Sequence, residues 1–332
     1  MMTLAAMVSL ILTAGMLAGW MGNYFVNTNY YQAAQQQDQA GQLHFVLGLP
    51  YEIESWMDVD EALQRAADVS KFASTRVMPR WIKILFDGTV ETGTGIVDPL
   101  YPDGHQGIAN WTEDELTELT RKANAKGLTL HVHVMGNKGI RQVVNAFING
   151  GKDEMRNTLV HVRNADAADL KRMAEHNIHV AAGMLWHHYA DFKQEIFMTG
   201  IMAVGVELRG YPIKSFFDYG VNAASHSDFP ALSDSPDDPF SIMEIMVTGI
   251  YQPEKAKAWW TEECLTREQA LTALTINVAK QMFIENERGR FLAGICLGIR
   301  CLSEEGIRCQ GRRPPHRARR PDGQSRTDLN RE

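Results

Sequence analysis

The chain has 332 residues, 45% of them apolar and 22% charged, and a formal net charge of -7. This is enough apolar chain for one large core or two modest ones. It excludes a disordered polymer, a disulfide-stapled miniprotein and a strongly basic protein, so no nucleic-acid partner is expected.

From Met1 to Gln37 no side chain is charged, and Leu4 to Trp20 is nearly all apolar or small. Such a stretch reads either as a short membrane span or signal peptide, or as a buried helix and strand. Its start carries no Lys or Arg, and Gly15, Gly19 and Gly22 suit a buried strand with tight ends. Residues 1–27 are therefore expected to supply an early helix and strand of the fold. A cytoplasmic location is expected, with membrane attachment or export left open by this segment.

Residues 28–289 alternate short apolar runs with longer amphipathic ones. Leu43 to Leu49 reads as a strand, and Val59 to Ala73 places Ala62, Leu63, Ala66, Ala67 and Val69 at helical spacing. Trp81 to Phe86 is a second strand, followed by a Gly-rich loop. Helix 111–125 opens with Thr112-Glu113-Asp114-Glu115, an N-cap residue and three acids suited to the helix dipole. Strands are then expected at 128–134, 158–162, 178–182 and 221–225, with helices at 138–148 and 165–175. Counting Gly15 to Met21, the pattern gives seven candidate strands in a repeating strand–helix alternation. This is the signature of parallel βα units. No GxGxxG follows the first strand, so an incomplete (β/α)8 TIM-type barrel is preferred over a doubly wound open sheet.

Residues 290–332 break the pattern. Lys280 is the last lysine, arginines crowd the tail from Arg288 to Arg331, and Cys296, Cys301 and Cys309 cluster there. The segment reads as a disordered extension, or as the product of a shifted reading frame. A basic tail that binds nucleic acid or anionic lipid is the other reading. Four cysteines without close pairing fit a reducing compartment or no redox role.

Parallel α/β folds collect their chemistry at the carboxyl ends of the strands. Lys83 lies within the apolar run Trp81 to Phe86, where its charge is costly unless removed or paired. His131 and His133 share one strand face, because residues two apart point the same way. They can converge on a cation or be satisfied core histidines. His161 ends the strand 158–162. Asp228 follows the last strand, where a turn aspartate is the ordinary reading. Together, Lys83, His133, His161 and Asp228 on successive strands can present ligands for a divalent metal, most simply zinc, to one point above a barrel.

Here the sequence resembles the metal-dependent amidohydrolase superfamily, in its family-3 branch of YtcJ-like and N-substituted formamide deformylase-like enzymes. The resemblance rests on Ile82 to Gly88, on His133-Val134-Met135-Gly136-Asn137, and on Arg156 to His161. It continues through Ser227-Asp228-Phe229-Pro230, Asp238-Pro239, Leu265 to Leu271 and Thr275 to Ala279. It implies a distorted (β/α)8 barrel beside a small β-sandwich, and hydrolysis of a C–N bond in a small non-peptide amide. Lys83 matches a lysine that is carboxylated to a carbamate bridging two metals. His133 and His161 match ligands of the second metal. Asp228 matches the aspartate that binds the first metal, takes a proton from the attacking metal-bound hydroxide and hands it to the leaving amine.

The chain departs from that pattern in three places. The family's first-strand His-x-His has no counterpart, because only His44 and His105 precede His131. Asn137 replaces the usual aspartate. The arginine-rich tail stands where the closing sandwich strands are expected. The sequence thus reads as a copy lacking the first strand and most of the sandwich. Its activity would be reduced or lost, and the alternative is a catalytically inactive barrel remnant or binding protein. An open barrel of this kind points to a homo-oligomer or another partner. Trp186, His187 and His188 follow a strand and are candidates, with His131 and Asn137, for lining a substrate pocket.

Overall fold

The computed structural model describes residues 28–188, 211–228, 238–251, 258 and 260–289. The expected strand at 15–21, the segment 1–27 and the tail 290–332 lie outside them. Helix α1 (Asn29–Gln39), on which the sequence reading was silent, leads into strand β1 (Leu47–Glu52) and helix α2 (Val59–Asp68). Strand β2 (Val77–Leu85), helix α3 (Glu113–Ala125), strand β3 (Thr129–Val134) and helix α4 (Asn137–Gly150) follow. Next come β4 (Thr158–His161), α5 (Ala167–Glu175), β5 (His179–Ala182), α6 (Ile213–Asp218) and β6 (Ala223–Ser225). Helices α7 (Pro239–Thr248), α8 (Arg267–Leu274) and α9 (Ile276–Gln281) complete the described chain.

All six strands are parallel and lie in sequence order in one sheet. This is the α/β arrangement of a TIM-type barrel, with β1 and β6 at the edges among the described residues. Four of the named helices, α2, α3, α7 and α8, start at a side-chain cap. The Asp58 carboxylate accepts from Glu61 N ahead of α2, and Thr112 and Glu115 form a reciprocal capping box on α3. No helix among the described residues is long and apolar enough to cross a membrane.

The period of two along each strand sorts the residues into layers. Ile82 and Ile84 of β2, Leu130 and Val132 of β3, Leu159 of β4 and Val180 of β5 join Leu116, Leu119, Ile140, Val143 and Leu170 of the helices in one core. Each such fully buried side chain contributes roughly 1.5–3 kcal/mol. The alternate residues, Trp81, Lys83, His131 and His133, therefore occupy the opposite face of the sheet. Trp81 packs there with Ala224, Val278 and Met282.

The first strand is displaced from its expected span. Leu43 belongs instead to a small cluster with Ala34, Leu47 and Val77, which fastens α1 to the sheet. Pairing starts only at Leu47 and runs through Pro50, where the register is irregular. Proline lacks the N–H of a ladder donor and is accommodated at such an irregular edge.

Candidate metal centre

Lys83 is 7% exposed and lies at the same level of the sheet as Glu52 on one side and His131 on the other. Burial pushes its amine down to about 8, against the attraction of Asp228 and then Glu52. A lysine so placed is partly neutral near physiological pH, when an ordinary lysine is a full cation.

The imidazoles close around it. His131 is fully enclosed, and burial, with Lys83 and His226 nearby, holds it well below the usual histidine value. Burial and Lys83 push His133 down to about 4. The His133 Nε2 lies 3.1 Å from the Gly88 carbonyl, which can only accept, so Nε2 carries the proton and Nδ1 keeps the lone pair. His161 is 6% exposed, with its ring centre 4.6 Å from that of His133 and 5.0 Å from that of His226. Burial, and then its three imidazole neighbours and Lys83, hold it strongly neutral.

His161 reaches this cluster by a backbone device. Thr158 and Val160 share a strand face, and strict alternation would turn His161 away from it. Instead φ is 71° at His161 and 50° at Val162. Positive φ is rare for these residues, and rarest for a β-branched valine. This pair of left-handed residues ends β4 and swings the imidazole back toward His133. Asp228 also has a positive φ of 49°, a conformation aspartate tolerates well, and its carboxylate attracts both Lys83 and His226.

Asp87 anchors the rim beneath these groups. Its carboxylate accepts from Met135 N at 2.9 Å, Ile96 N at 2.9 Å and Gly136 N at 3.0 Å. Burial nevertheless pushes it up to about 7, against those three bonds. It thereby ties the loop after β2 to the turn between β3 and α4. A side chain at Gly136 would put its Cβ 2.1 Å from the Ile96 oxygen, so only glycine fits this approach.

The remaining expected site residues are spread more widely. Asn137 bridges to the loop after β2, with Oδ1 accepting from Asp98 N at 3.0 Å and Nδ2 donating to Asp98 O at 2.7 Å. Trp186 stacks on His161 with ring centres 5.6 Å apart. His187 is buried with Nε2 3.2 Å from the Trp260 carbonyl, and the His188 ring lies 5.2 Å from that of Tyr251. Two members of the cluster escaped the sequence reading, Glu52 and His226. His226 continues the β6 ladder by donating its N–H to the Ala182 carbonyl.

The donors are of the kind a divalent cation needs. His131 Nδ1, His161 Nδ1 and His226 Nε2 are buried and find no hydrogen-bond partner among the described residues. An orphaned buried nitrogen on a neutral imidazole wants a partner, and in the tautomer that leaves it a lone pair that partner can be a cation. Among the described residues, no three His, Cys, Asp or Glu side chains are arranged to hold an ion between themselves. The cluster is thus a group of neutral imidazoles gathered around a buried lysine.

The sequence profile of the amidohydrolase family matches residues 2–294. The N-substituted formamide deformylase of Arthrobacter pascens is 24% identical over 312 residues, covering 87% of this chain and 53% of that protein. The putative amidohydrolase YtcJ of Bacillus subtilis (strain 168) is 25% identical over 248 residues, covering 73% of this chain and 45% of that protein. The chain therefore spans about half the length of the curated relatives it matches. An uncharacterized metal-dependent hydrolase from Pyrococcus furiosus has the same fold. Its TM-score is 0.61 at 19% identity, with 76% of this chain and 50% of that one covered.

Proposed function

The chain belongs to the amidohydrolase family, in its family-3 branch, and from that premise we propose that it is a metal-dependent hydrolase of C–N bonds in small non-peptide amides. The observation that carries this reading is the convergence of Lys83, His133 and His161, with the Asp228 carboxylate in electrostatic reach of the lysine.

Lys83, His133 and His161 would hold one divalent ion, with zinc the natural choice for imidazole ligands. A partly unprotonated amine at Lys83 adds to carbon dioxide, forming an N–C bond and releasing a proton. The product is a carbamate, which turns a costly buried cation into an anionic oxygen ligand. When bound, such an ion lowers the pKa of water toward about 7 and polarises a carbonyl oxygen. Asp228 accepts the proton of the attacking water and returns it to the nitrogen of the leaving amine. The Gly88 carbonyl accepts from His133 Nε2 and would leave Nδ1 as the nitrogen to bind an ion, as a backbone carbonyl does for a metal-binding imidazole.

The test is amine release from a panel of N-substituted amides by the zinc-loaded chain. Asp228→Asn should lower kcat by about 10²–10⁴-fold with a smaller change in KM. Equal turnover in the variant would remove Asp228 from the reaction. No amine release from any amide, with zinc bound, would favour an inert binding protein.

A further inference from the structure

His226 has no part in the chemistry above, yet it belongs to the same layer of side chains. Ala224 packs with Trp81 on the sheet face that carries Lys83, and the period of two continues that face to His226. The His226 backbone N–H donates to the Ala182 carbonyl at 3.0 Å, which holds the residue in register with β5. Its ring centre is 5.0 Å from that of His161, and His161 is 4.6 Å from His133.

These spacings are those of imidazoles that share one ion. Zinc lies about 2 Å from a ligating nitrogen, and so about 3.2 Å from the ring centre. Two such rings at the tetrahedral angle have centres about 5 Å apart. Edge-to-face rings in an apolar core reach similar separations, so the ring nitrogens must decide.

A hydrogen bond to the Ala181 backbone acts on the His226 ring. Its Nε2 is buried and has no hydrogen-bond partner, so that bond falls to Nδ1. The proton then sits on Nδ1, where the carbonyl accepts it, and Nε2 keeps the lone pair. Asp228 attracts the ring without giving Nε2 a hydrogen bond. His133 has the same division of labour, with the Gly88 carbonyl on one nitrogen and a lone pair on the other.

From this juxtaposition we infer that His226 Nε2 is a further ligand of the ion held by Lys83, His133 and His161. The inference rests on the metal-dependent reading and adds to that site a residue from the turn that also carries Asp228. Among the described residues no three such side chains already meet at one point, so loading would turn rings that stand at ligand spacing.

Two measurements on the full chain test this: zinc affinity by competition with a chromophoric chelator, and proton NMR after loading with cobalt. Losing a group that merely supports a ligand costs about 10–100-fold in metal affinity. His226→Ala should therefore weaken zinc by more than about 100-fold. In the cobalt-loaded chain each bound imidazole gives one exchangeable, strongly shifted N–H signal, and His226→Ala should lose a single one of them. A smaller loss of affinity, or an unchanged set of shifted signals, would overturn the inference and leave the hydrolase reading to its own test of amine release. An unaltered chain that takes up no zinc would bring down both together. Should His226→Ala fail to fold, His226→Gln, which keeps a polar side chain without an imidazole, carries the same comparison.

Discussion

At the scale of single residues, one buried titratable group lies apart from the cluster around Lys83: His179, 2% exposed on β5. Asn222 Nδ2 also donates to the Asn277 carbonyl, which fixes it as a donor, so His179 Nδ1 at 3.1 Å must accept from it. Burial, then Arg156 and Lys280, push His179 down to about 3. The neutral ring is favoured only in the folded state, so its contribution is complete above an unfolded pKa of about 6.5 and is lost as pH falls toward 3. The urea midpoint should therefore fall on acidification from about pH 7 to pH 5. His179→Gln should flatten that fall by up to about 1.4 kcal/mol per pH unit. An unchanged slope in the variant would show that His179 titrates normally in the fold. Lys83, His131 and His133 were legible because a charge in an apolar run and a period of two are both sequence properties. The same period places Ala224, His226 and Asp228 on one face, so His226 was within reach of the reasoning that found His133. The inward turn of His161 was not, because it depends on two left-handed residues that no residue type there announces.

At the scale of elements, the site is held by what connects strands as much as by the strands. Asp87 joins three backbone N–H groups from two segments, and Gly136 permits the contact. Asp87→Asn replaces one accepting oxygen by a donor facing N–H groups, and should cost about 1–3 kcal/mol in denaturant unfolding. Gly136→Ala should cost at least as much, because the new Cβ meets a backbone oxygen at 2.1 Å. A fully stable Gly136→Ala protein would mean that the turn and the Ile96 segment separate freely. Helix α3 was legible to within two residues, since the N-cap threonine and the acid three positions later form the capping box its sequence spells. Strand β1 was not, because Leu43 to Leu49 is equally apolar whether it pairs with β2 or packs under α1. Tertiary contact at Ala34 and Val77 made that choice.

At the scale of the whole molecule, six parallel strands present one face to helices and the other to a lysine and its histidines. The barrel class was legible from the alternation of strands and helices. The centre was legible as a set of residue types on successive strands, though Glu52 gains its meaning only from Lys83, its neighbour across the sheet. If this centre binds zinc in the folded state alone, saturating zinc should raise Tm by several degrees, and a chelator should reverse the shift. No shift at saturating zinc would uncouple metal from fold. The most direct measurement is the metal content of the zinc-loaded, desalted chain beside Lys83→Ala and His161→Ala. The account predicts about one equivalent per chain, falling to a small fraction in both variants. Two equivalents, none, or one equivalent undiminished by either substitution would contradict it.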